Sequence, residues 1–113
     1  MTDDSPEYAE WRALSAAFLT THPDAQPGKM MSSPALALNG KVFAFYTTKG
    51  GRVGLGIRLG RQTDFAALGL NDWQHLAPFK TKPPMKDWIV AGAGDQDRWP
   101  DLMQRAYDAM RRR

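Results

Sequence analysis

The chain has no cysteine. Disulfides, thiolate metal centres and cysteine nucleophiles are therefore excluded. Histidine is almost as scarce, with His22 and His75 the two in 113 residues. A metal site needs several convergent donors, and no spaced carboxylate pair accompanies either histidine, so neither a metal nor a cofactor is expected. Long apolar runs are missing too, none approaching the roughly 18 residues needed to span a bilayer. The opening Met1-Thr2-Asp3-Asp4-Ser5-Pro6-Glu7 is acidic and lacks the basic and apolar parts of a secretory signal, so a cytoplasmic location is expected.

Acidic charge is sparse in the middle of the chain. Lys29, Lys41, Lys49, Arg52, Arg58, Arg61, Lys80, Lys82 and Lys86 stand there against Asp64, Asp72 and Asp87. The first 28 residues are the reverse, with Arg12 facing Asp3, Asp4, Glu7, Glu10 and Asp24. A basic middle segment can attract nucleic acid. With a formal net charge of only +3, a solvated basic surface is the plainer reading.

What the chain does have is enough apolar material for one core. Hydrophobic residues make up 42% and charged residues an ordinary 24%. With no linker or repeat in view, residues 1–113 read as a single domain. A first helix is expected from about Pro6 to Leu19, capped by Ser5, with Tyr8, Trp11, Leu14, Ser15 and Phe18 forming its buried stripe. Residues 22–28 then break the chain. Ala35–Leu38 and Lys41–Tyr46 flank Asn39-Gly40, a strong two-residue hairpin signal. A turn at Thr48–Gly51 leads to a third strand, Arg52–Leu59, of period two. A short helix over Thr63–Leu68, stopped by Gly69, precedes a short strand near Leu76–Phe79. After the Lys80–Pro84 loop come a strand at Met85–Val90 and a last helix starting near Asp97 or Arg98. Its stripe is Trp99, Leu102, Met103, Ala106, Tyr107 and Met110. The order α-β-β-β-α-β-β-α implies an α+β fold, a two-layer, mostly antiparallel sheet with helices on one face.

Gly28-Lys29-Met30-Met31, Pro34-Ala35-Leu36, Asn39-Gly40-Lys41-Val42-Phe43-Ala44, Leu68-Gly69 and Met85-Lys86-Asp87-Trp88-Ile89-Val90 together resemble the N-terminal domain of the TfoX/Sxy competence-regulator family, and more loosely the YjbR/MmcQ-type proteins. The resemblance covers roughly residues 28–90. It implies the same two-layer fold and a non-enzymatic role linked to transcriptional control or DNA binding, and it transfers no catalytic residue.

Gly54-Leu55-Gly56-Ile57-Arg58-Leu59-Gly60 is no phosphate loop, because its first two glycines lie within a strand instead of the turn that opens a helix. Nothing in the sequence ties Ser32 or Ser33 to a histidine as nucleophile to base. The hairpin register carries more information. A plain two-residue turn sets Ala37 opposite Val42, Leu36 opposite Phe43 and Ala35 opposite Ala44. Leu36, Leu38, Phe43 and Phe45 would then face the helices, joined by Val53, Leu55, Ile57 and Leu59. The opposite face would carry Ala35, Ala37, Val42, Ala44, Gly54 and Gly56, rimmed by Tyr46, Arg52 and Arg58. Such a flat, small-residue surface suggests a covering partner. The leading expectation is a non-catalytic interaction module, binding a protein partner or itself as a homodimer through Ala35, Ala37, Val42, Ala44, Tyr46, Gly54 and Gly56. The alternative is a DNA-binding accessory protein, touching nucleic acid weakly and non-specifically through Arg52, Arg58 and Lys86, with Trp88 stacking on exposed bases.

Overall fold

The computed structural model describes residues 6–30, 33–47, 53–60, 63–76 and 85–111. Six strands form one antiparallel sheet: β1 (Ala25–Met30), β2 (Ser33–Leu38), β3 (Lys41–Thr47), β4 (Gly54–Arg58), β5 (Trp73–Leu76) and β6 (Met85–Gly92). Their spatial order is β1-β2-β3-β4-β6-β5, which leaves β1 and β5 as the edges. Helices α1 (Pro6–Thr21) and α2 (Trp99–Arg111) both contribute to the core on one face of this sheet. The class is α+β, in the expected element order with β1 as one additional strand.

Residues 22–28 were expected to break the chain, and Pro27 and Gly28 instead lie inside β1. A proline cannot donate to a ladder, but an edge strand has one side free of partners, so β1 tolerates it. The short helix is a single 3₁₀ turn, Phe65–Leu68, capped by Asp64, whose side chain accepts from the Ala67 amide at 3.3 Å. Thr63, where that helix was expected to begin, donates its hydroxyl to the Leu59 carbonyl at 2.7 Å. β5 covers Trp73–Leu76, and residues 77–79 of the strand expected near Leu76–Phe79 lie outside the described residues. The Ser5 cap and the loops at 48–51 and 80–84 fall outside the described residues.

The α2 stripe is buried as its spacing requires, and of the α1 stripe Trp11 and Phe18 are buried while Tyr8, Leu14 and Ser15 are half-buried. Trp11 and Phe18 of α1, and Trp99, Leu102, Met103, Ala106, Tyr107 and Met110 of α2, close over Leu36, Leu38, Phe43, Leu55, Ile57 and Ile89 of the sheet. Each large side chain removed from water here contributes about 1.5–3 kcal/mol. Pro100 is accommodated because it is the second residue of α2, where its amide would have no helical partner. A second 3₁₀ segment, Ala93–Arg98, leads into α2, and the Trp99 indole donates to the Gly92 carbonyl at 3.3 Å.

Asn39 and Gly40 have φ of 54° and 78°, the two left-handed residues of a type I′ turn. The register beyond the turn is not the plain one. Leu38 pairs with Lys41 and Ala37 with Val42, but Leu36 pairs with Ala44 and Ala35 with Phe45. Phe43 is therefore the extra residue of a β-bulge, and every side chain beyond it changes face.

Candidate interaction surface

The bulge decides what lies on the face of the sheet away from the helices. Phe43 and Ala44 both join the helix-side core, and so does Tyr46, whose ring meets that of Tyr8 in α1 at 5.2 Å. Ala44 and Tyr46 were expected on the opposite face, and the bulge corrects both. Phe45 makes the reverse move. It was expected among the helix-side residues and stands instead on the helix-free face with Ala35, Trp88 and Val90, and Val42 packs against this group.

Neither glycine of β4 leaves an open bed, and a Cβ at Gly54 would overlap the Ala91 carbonyl. The Phe45 ring lies across Gly56, so that a Cβ there would overlap it. Trp88 meets Phe45 edge-on, at 5.5 Å between centroids and 74° between planes. The expected flat bed of small residues is thus filled by an aromatic pair from β3 and β6. Phe45 is 0% exposed and Trp88 6%. Ala35, Ala37, Val42, Gly54 and Gly56 do share the helix-free face, as their positions in the ladders require. Val53, expected in the core, is 39% exposed.

Of the residues singled out for nucleic acid, Arg58 stands directly opposite Trp88 in the β4–β6 ladder, and both are engaged within the chain. Trp88 is packed edge-on against Phe45, so its face is not offered to a base. Arg58 donates through Nε to Asp87 at 3.3 Å, which offsets its charge locally. Arg52 and the Lys86 side chain lie outside the described residues. Lys29 and Lys41 are exposed, the first on the β1 edge and the second at the hairpin tip.

Both histidines are absorbed into packing. His22 stacks on Phe18 at 3.9 Å with its plane tilted by 9°, and Nδ1 lies 3.1 Å from the Phe18 carbonyl at the end of α1. His75 Nδ1 lies 3.2 Å from the Trp88 carbonyl, and the ring meets Phe65 edge-on. Among the described residues no three His, Asp or Glu side chains gather as metal ligands. A half-open cleft of about 260 Å³ lies between α2 and the first 3₁₀ turn, lined by Leu59, Thr63, Leu68, Arg105, Asp108 and Ala109. Its two charged side chains have partners along α2: Arg105 pairs with Asp101 at 2.9 Å, and Asp108 accepts from Gln104 at 3.1 Å.

Two polar clusters had no sequence signal beyond their residue types. Asp95 is only 2% exposed, and its carboxylate accepts from the backbone amides of Asn71 and Asp72. Asp72 in turn accepts from the Gly94 amide at 3.0 Å, and its own carbonyl from the Gly92 amide at 2.7 Å. This reciprocal clasp satisfies a buried carboxylate and joins the start of β5 to the end of β6. In the second cluster, Tyr107 donates its hydroxyl to both oxygens of Asp24, at 2.6 and 2.8 Å. That bond holds the Asp24 carboxyl below its ordinary value and, with burial, raises the Tyr107 phenol. Residues 83 positions apart are joined there, tying the chain entering β1 to the last turn of α2.

No protein-family model, no curated protein and no solved structure matches this chain. Among the described residues no helix is long and apolar enough to cross a membrane.

Proposed function

We propose that this chain is a non-catalytic interaction module of the cytoplasm that pairs with a second copy of itself, or with a protein partner, across the helix-free face of its sheet. The observation that carries this reading is the second apolar cluster. Ala35, Phe45, Trp88 and Val90 lie on the side of the sheet to which neither helix contributes and are buried within the single chain, while half-buried Val42 marks the margin that a partner can reach. A solvent-facing sheet ordinarily alternates apolar with polar side chains, whereas this face places two aromatics and three aliphatics together. The resemblance of residues 28–90 to the TfoX N-terminal domain lends support to a non-enzymatic role.

Of the expected contact set, Val42 is the half-buried position at the margin of the face, while Ala35, Ala37, Gly54 and Gly56 are buried beside the Phe45–Trp88 pair. Ala44 and Tyr46 leave the set, because they serve the helix-side core. Two-fold pairing is the commonest way for a soluble protein to cover such a face with its own copy. Sedimentation velocity across a concentration series tests the reading. The wild-type chain should shift to a dimer as concentration rises. Val42→Glu, at a half-buried position, should keep the circular dichroism spectrum and remain a monomer. A wild type that stays monomeric throughout overturns the self-pairing. A monomer that binds duplex DNA, with affinity falling steeply as salt rises, would replace it with the nucleic-acid reading.

A further inference from the structure

We draw no further inference here: the strongest candidate, the outward face of α1 on which Ala9, Ala13, Ala16, Ala17 and Thr20 stand exposed with Arg12 as the only charged residue among them, is a stripe of small side chains and nothing in the structure shows what covers it.

Discussion

The hydroxyl of Tyr107 serves a carboxylate that is otherwise open to water, so this one contact responds to pH at both ends of the scale. Ionised Asp24 is favoured in the fold. Its contribution is therefore present above the ordinary 3.8 and is lost as pH falls through the lower folded value. Neutral Tyr107 is favoured as well, so its contribution is present below the ordinary 10.0 and is lost as pH rises through the higher folded value. Tyr107→Phe removes both. Unfolding of wild type and variant, followed from acid to alkaline pH, should differ by a constant amount in the middle range and converge at both extremes. A difference independent of pH would show that the hydroxyl contributes only packing. A second residue-scale test compares two glycines. Gly56→Ala drives a methyl into the Phe45 ring and should cost about 1–3 kcal/mol in urea unfolding. Gly28→Ala meets only the Ala37 methyl, at an ordinary 3.7 Å, and should be neutral or stabilising by up to about 1 kcal/mol. Equal losses at the two sites would contradict the placement of Phe45.

Element by element, the parts of the fold that follow a period were legible and those that depend on an interruption were not. The α1 and α2 stripes, the Asn39-Gly40 turn and β6 follow from spacing and turn chemistry, because helices and hairpins are decided by residues close in sequence. The bulge at Phe43 has no such local sign. One additional residue in β3 exchanges Ala44 for Phe45 on the helix-free face, and what favours it is Gly56 on the neighbouring strand, which leaves space for a ring. A single side-chain volume two strands' length away in sequence therefore decides half of the candidate surface. β1 was hidden because Pro27 and Gly28 resemble breakers, and only the edge position makes them acceptable. Two outcomes follow for these elements. Gly40 has open space around its missing Cβ, so Gly40→Ala tests the backbone alone and should cost roughly 1–2 kcal/mol for a left-handed alanine. Pro27 and Lys29 are both exposed on the β1 edge, where a proline and a charge discourage further strand pairing. Replacing both with valine should leave the fold intact and produce larger, concentration-dependent species in light scattering. Unchanged monodispersity would mean that the edge is guarded by something else.

For the molecule as a whole, the sheet carries two apolar layers, and only one of them lies beneath helices. The helix-side layer accounts for the fold. The second lies on the face to which neither helix contributes, and the partner is proposed to sit at its half-buried margin, at Val42. Charge offers less, since Arg58 is engaged by Asp87 and the exposed Lys29 and Lys41 belong to the rim of the sheet. The candidate surface was partly readable from the hairpin register, and the misassigned residues are those that follow the bulge. Ala44 and Val42 consequently give the most direct test of the account, because one position lies on each side of the sheet. Circular dichroism and sedimentation equilibrium of Ala44→Glu and Val42→Glu should separate them. A carboxylate at Ala44, which is fully buried against the helices, should abolish the folded spectrum. Val42→Glu, at a partly buried position on the helix-free face, should keep that spectrum and sediment as a monomer where the wild type is a dimer. A folded Ala44→Glu would contradict the assignment of faces, and a Val42→Glu that still dimerises would contradict the proposed contact.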